Sequence, residues 1–241
     1  LTQVADVELE WEAAKVVRRD RMRTVTVEAG TAPGVTAAEV NGELVPWLES
    51  ESADWGLGYR WELGGEAETS EQANASIMAK LPIAGLIIIL LLVSQFNSIR
   101  KPLIILITIP MGIIGVVVGL LVARSFFGFM TLLGIIALSG IVINNAIVLL
   151  DRIRIEIENH GRPANEAIIE AAQRRLRPIL LTTITTMGGL VPLWLGGGPM
   201  WEPMAVSIIF GLAFATVLTL GFVPVLYSLF YRVSFREYRY R

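Results

Sequence analysis

The chain has 241 residues, of which 54% are hydrophobic and 17% charged, with a formal net charge of −2. A water-soluble domain of this size rarely carries so much apolar sequence, so the chain is assigned to a membrane, and nothing in its balance of charge suggests nucleic acid as a partner. Cysteine is absent, which excludes disulfides and thiolate metal sites; no nucleotide loop, metal cluster or nucleophile–base pair points to an enzyme, a metal or a cofactor.

Residues 1–80 are polar and acidic, with 15 Asp and Glu against 7 Lys and Arg. Arg23 to Ala29 alternates as a strand, placing Val25 and Val27 on one face, and Ala32-Pro33-Gly34 makes a turn. Thr36-Ala37-Ala38-Glu39 is a capping-box signature for a helix running to about Glu51. A second strand is predicted at Tyr59 to Leu63, ended by Gly64-Gly65. A strand-helix-strand this small has open edges and cannot bury enough apolar surface alone, so its partner strands are expected elsewhere. Glu66 to Lys80 is helix-compatible with no breaker until Pro82, which predicts one helix continuing into the first apolar run. No initiator methionine or signal peptide precedes this acidic region, and the chain is expected to be the C-terminal piece of something longer.

Five apolar runs are each long enough for a membrane core that needs roughly 20 helical residues. They lie at about 77–96, 101–124, 129–151, 178–196 and 203–231. Residues 81–241 hold 13 Lys and Arg against 7 Asp and Glu, and the basic residues cluster in alternate connections. Arg100 and Lys101 follow the first run; Arg152, Arg154, Arg162, Arg174, Arg175 and Arg177 fill the 152–177 loop; Arg232, Arg236, Arg239 and Arg241 lie in the tail. The positive-inside rule makes those connections and the 233–241 tail cytoplasmic, and puts the acidic N-terminal region on the other side. His160 is expected to be a solvated residue of the 152–177 loop.

Within the second run, Gly112, Gly115 and Gly119 form a small-residue face that lets another helix approach, and Gly211, Ala215 and Thr219 do the same in the fifth. The strings Arg100-Lys101-Pro102-Leu103 and Leu176-Arg177-Pro178-Ile179 echo each other, which predicts two helices that each carry proline in the first turn. The third run contains Gly140-Ile141-Val142-Ile143-Asn144-Asn145-Ala146-Ile147-Val148-Leu149-Leu150-Asp151. Gly140, Asn144, Ile147 and Asp151 fall on one helical stripe, and amides in an apolar helix need a partner helix or an ion pathway.

These strings, together with Gln95-Phe96-Asn97-Ser98, Arg175-Leu176-Arg177-Pro178-Ile179-Leu180-Leu181-Thr182-Thr183, Pro203-Met204-Ala205 and Val223-Pro224-Val225-Leu226-Tyr227, resemble the resistance-nodulation-cell-division (RND) efflux transporters. The likeness is greatest to the hydrophobe and amphiphile, or acriflavine-resistance, branch. It implies an all-α membrane bundle made of the last five helices of a twelve-span protomer. Before it would stand a partial α/β porter segment, a β-α-β unit that is half of a ferredoxin-like subdomain. Residues 1–23 would be the tail of a periplasmic docking region, 24–66 the porter portion, 67–80 a connecting helix and 81–232 the membrane helices.

The resemblance also implies function. The expected protein is a proton-motive-force-driven exporter of hydrophobic and amphiphilic compounds across a Gram-negative envelope. It would be a homotrimer in the inner membrane, surrounded by lipid and joined to a periplasmic adaptor and an outer-membrane channel. The family's proton relay maps onto Asn144, where the best-known pumps have lysine, and onto Arg175 and Thr182, with Asn145 and Asp151 beside them; the acidic pair they would face is not in this chain. The alternatives are a non-transporting assembly or sensor subunit, in which the polar stripe only holds helices together, and a lipid or protein exporter of the wider superfamily.

Overall fold

The computed structural model describes residues 15–32, 35 and 37–235, and the chain divides into two compact units at Glu62/Leu63. The first 14 residues of the docking tail, Pro33 and Gly34 of the turn, the capping residue Thr36, and Arg236, Arg239 and Arg241 of the tail lie outside the described residues.

In the first unit, β1 (Val17–Arg19) and β2 (Met22–Thr24) form an antiparallel hairpin in which Val17 pairs with Thr24 and Arg19 with Met22. The helix α1 (Ala37–Ser52) follows, with Glu39 in its first turn. The predicted β-α-β order is corrected here. Of the stretch Arg23–Ala29 only Arg23 and Thr24 are in a ladder, and Tyr59–Leu63 is not a strand. A strand exists only by pairing, and β1 and β2 pair with each other, so Val25 and Val27 are left 89% exposed. Side chains tie down the second stretch instead. Arg60 Nη2 lies 2.7 Å from Asp20 Oδ2, and Glu62 Oε2 lies 3.1 Å from Arg19 Nε. Such exposed pairs are weak, worth about 0–1 kcal/mol each.

The second unit is a helical bundle of α2 (Glu66–Phe96), α3 (Arg100–Ala123), α4 (Phe129–Glu158), α5 (Ala164–Gly196) and α6 (Gly198–Tyr231). All five are long and apolar enough to cross a membrane. The polar run from Glu66 and the first apolar run are indeed one helix, α2. It touches its neighbours near its C-terminal end, where Leu92 and Phe96 join a core with Ile104, Ile105, Leu149, Leu150 and Val223. The helix α6 is central and packs on α3, α4 and α5. A second core, around Val116, Leu120, Leu138, Val142, Val206 and Leu212, fills the opposite half of the bundle.

Short turns fix the order of the helices. Arg124 takes the left-handed conformation, φ 53°, and the Ser125 N–H closes on the Leu120 carbonyl at 3.0 Å, ending α3. The Thr131 hydroxyl then accepts from the Gly128 N–H at 3.3 Å and donates to the Phe126 carbonyl at 3.1 Å, so one buried threonine closes the turn into α4.

The 152–177 loop is largely helical, a second correction. α4 continues to Glu158 and α5 begins at Ala164, leaving Asn159 to Pro163 as a tight elbow. Ala167, Ile168 and Ala171 recur at helical spacing and are buried, and that apolar stripe packs the segment as helix despite its charge. Consequently Pro178 is an interior residue of α5 and not a first-turn residue, whereas Pro102 does sit in the first turn of α3. With no N–H to donate, Pro178 leaves the Arg174 carbonyl without its helical partner.

Candidate functional site

Three features meet around α4: an outward polar stripe, an inner seam of close helix contacts and a charged elbow. The buried face of α4 is set by Leu138, Val142, Ala146, Leu149 and Ile153. Asn144 is two residues from both Val142 and Ala146, about 200° round the helix from each. It is therefore exposed, as is Gly140, while Asn145 and Asp151 are half-buried. A Cβ added at Gly140 would meet nothing within 4 Å, so Gly140, which as a small residue on the stripe would let a helix pack close, has no helix packed against it among the described residues.

The other residues of the predicted relay are dispersed. Arg175, on α5, is half-buried, and its Nε is buried without a hydrogen-bond partner. Thr182 turns its hydroxyl back to the Ile179 carbonyl at 2.9 Å. Asp151 lies in the electrostatic field of Lys101 and Arg154. Among the described residues no hydrogen bond or ion pair links Asn144, Asn145, Asp151, Arg175 and Thr182 to one another. The chain presents these groups without joining them.

The seam is better connected. A Cβ on Gly115 would lie 2.5 Å from Phe214 Cβ and 2.8 Å from the Phe210 carbonyl oxygen; one on Gly119 would collide with Phe210 Cβ. On α6, a Cβ at Gly211 would collide with Leu138 Cδ2 and lie 2.9 Å from Val116 Cγ2 and 3.3 Å from the Gly112 carbonyl oxygen. Gly112 is looser, with Leu138 at 3.4 Å. Glycine here lets α3, α4 and α6 approach almost backbone to backbone. Gly134, which the sequence reading did not single out, does the same between α4 and α6, where Ser207 Cβ stands 3.0 Å from the Cβ position. Between α5 and α6, the buried Thr183 and Thr216 hydroxyls share a hydrogen bond of 2.9 Å.

The elbow holds a cluster the sequence reading missed. Glu156, 0% exposed, has Oε1 at 2.5 Å from Arg152 Nη2, while its Oε2 lies 3.4 Å from Arg162 Nε and 3.6 Å from His160 Nδ1. Arg174 Nε stands 3.7 Å from Glu156 Oε1 and 2.5 Å from Glu170 Oε1, and Arg162 Nη1 is 3.0 Å from Glu170 Oε2. Two carboxylates thus bind three guanidinium groups drawn from α4, the elbow and α5. His160 also has Nδ1 3.3 Å from the Ile155 carbonyl oxygen, so it sits at the cluster's edge. The signal available in sequence was the i, i+4 spacing of Arg152 with Glu156 and of Glu170 with Arg174; its long-range half, Arg162 and Arg174 onto Glu156, depends on the elbow.

Five apolar helices with this glycine seam agree with one line of descent. The sequence profile of the AcrB/AcrD/AcrF family matches residues 1–231. The chain belongs to the AcrB/AcrD/AcrF family. The RND resemblance read from the motifs is thereby established, and this AcrB/AcrD/AcrF-family chain is a multi-pass membrane protein. An uncharacterized transporter of Haemophilus influenzae is 31% identical over 238 residues, 95% of this chain and 23% of that protein. The multidrug resistance protein MdtC of Escherichia coli is 33% identical over 181 residues, 73% of this chain and 18% of MdtC. Among solved structures, a heavy metal efflux pump superposes with a TM-score of 0.62 at 28% identity, covering 79% of this chain and 20% of the pump. This family member therefore spans about a quarter or less of the length of the relatives it matches.

Proposed function

We propose that the chain works as part of a longer, proton-driven exporter of hydrophobic and amphiphilic compounds. The observation that carries this reading is the exposed Asn144 in the middle of an apolar helix, with Arg175 Nε buried and unpartnered on the next. An amide facing hydrocarbon and a guanidinium group without a counter-ion are both costly, and each is accounted for by acidic helices of the longer protein docking against α4 and α5. In that setting Asn144 donates to an ionised carboxylate and accepts from a protonated one, Arg175 supplies the positive field, and Asn145, Thr182 and Asp151 line the same route. Gly140 leaves room for the docking helix.

The amphiphile class is supported by the identity to a multidrug resistance protein; the structural likeness to a heavy metal efflux pump favours a second reading, export of a divalent metal ion. In cells producing the protein at its native length, dye accumulation should be low and should rise when a protonophore collapses the proton gradient. Protection against zinc, cobalt or cadmium without any effect on dyes would select the metal reading, and an effect on neither would remove both.

The proposed setting is an inner membrane, with the 1–62 unit periplasmic, the α4–α5 elbow cytoplasmic, and a trimer engaging an adaptor and an outer-membrane channel. Its orientation rests on the distribution of arginines. Single cysteines at Ser125 and Asn159 test it. An impermeant thiol reagent added to intact spheroplasts should modify the Ser125→Cys protein and spare Asn159→Cys; the reverse pattern inverts the topology.

A further inference from the structure

The carboxylate of Glu156 is the fixed point of the elbow. It is wholly buried, yet it stands at the end of a helix where a solvated side chain would cost nothing; Arg174 of α5 donates to Glu170 of its own helix and keeps its guanidinium 3.7 Å from Glu156, a charge contact between the two helices. Glu170 and Arg162 complete the ring at 2.5 Å and 3.0 Å. On α5 the clamp falls at the turn that needs one, because Pro178 has no N–H for the Arg174 carbonyl. Arg175 is the next residue, about 100° further round the helix, and its Nε is buried with no hydrogen-bond partner among the described residues. A rotation of this turn would move Arg174 out of the ring and Arg175 off its face together.

We propose that Glu156 is a positioning residue which, by holding Arg174 through the elbow, fixes the rotational setting of α5 at Arg175. The inference rests on the coupling role given to Arg175 above and adds the device that aims it. Among the described residues Glu156 makes no ion pair with Arg175 itself. It acts through Arg174, and the two helices joined by the elbow are set relative to each other by side chains where the backbone bond is missing.

These 241 residues hold no cysteine, so in a full-length protein with any cysteine elsewhere replaced by serine, one introduced at position 175 reports its own surroundings. In native membranes containing the full-length protein, modification of Arg175→Cys by a small methanethiosulfonate reagent should change by about tenfold when Glu156→Ala or Glu156→Gln is added, as expected when one setting of a two-state turn loses its bias. Glu156→Asp, which keeps the charge, should restore most of the original rate. A Thr183→Cys/Thr216→Cys pair, on side chains that share a hydrogen bond, should cross-link as well in the Glu156 variants as without them, showing that α5 and α6 remain packed. An unchanged rate at 175 with the cross-link intact overturns the proposal. Loss of the cross-link in both Glu156 variants also overturns it, by making Glu156 a residue of general packing. Proton-coupled efflux is measured in parallel: with Arg175 otherwise native, Glu156→Gln should shift its pH profile in the direction that Arg175→Ala does. A changed labelling rate with unchanged efflux leaves the positioning intact and removes the coupling role of Arg175 instead.

Discussion

Gly211→Leu is expected to be, with the same change at Gly115 or Gly119, among the most damaging single substitutions in the bundle. Position 211 has no space for even a Cβ, which would collide with Leu138 and press on Val116, so a leucine there must drive α6 away from both α3 and α4. Overpacking a well-filled core costs about 1–3 kcal/mol when neighbours can repack, and here part of the neighbour is backbone, the Gly112 carbonyl oxygen 3.3 Å away. The loss should exceed that range and appear as aggregated protein on size-exclusion in detergent, with little surviving heating. Gly221→Leu, a change of the same size at an exposed position of α6 where an added Cβ meets nothing within 4 Å, is the control: it should leave the melting temperature within a few degrees. A Gly211→Leu protein that is monodisperse and melts normally would show that the α3–α4–α6 seam is not close-packed.

The second large effect is functional. Asn144→Leu removes the amide at nearly constant volume from an exposed site where no hydrogen bond holds it among the described residues, so the fold of the bundle should be unaffected while proton-coupled export falls by about 10²-fold, the scale for removing one well-placed polar group acting on charge. Asn144→Lys is the informative partner. A lysine can pair with an ionised carboxylate and let go of a protonated one, and should keep partial transport. Wild-type rates and normal proton coupling in the leucine protein would reduce Asn144 to a packing amide and end the coupling assignment.

The two halves of this molecule differ in how much their residues disclose. Length and apolarity alone determine the five helices, since any such run must close its own hydrogen bonds in a bilayer. Gly112, Gly115, Gly119 and Gly211 were legible because small residues three or four apart have little other use in a membrane helix, whereas Gly134 was not. The N-terminal strands were not, because alternation such as Val25 and Val27 specifies a face and says nothing of whether a partner strand is present to pair with it. The elbow was misread for a related reason. Six arginines between two apolar runs look like a solvated loop until Ala167, Ile168 and Ala171 are seen to pack, and the contact of Arg174 with Glu156 spans 18 positions across a turn. Asn144 was visible as an anomaly from the start, and its outward placement follows from the buried face that Val142 and Ala146 define.

The elbow also separates two moments in the life of the protein. While helices enter a membrane, orientation is decided by the count of lysine and arginine near their ends, and nearby acids barely reduce that signal. Arg152, Arg162 and Arg174 are counted in full at that stage. Once the elbow closes, the same three are occupied by Glu156 and Glu170 and contribute little field to the membrane surface. Three of the six arginines between residues 152 and 177 are thus matched on folding by two carboxylates, whereas Arg175 forms no ion pair among the described residues.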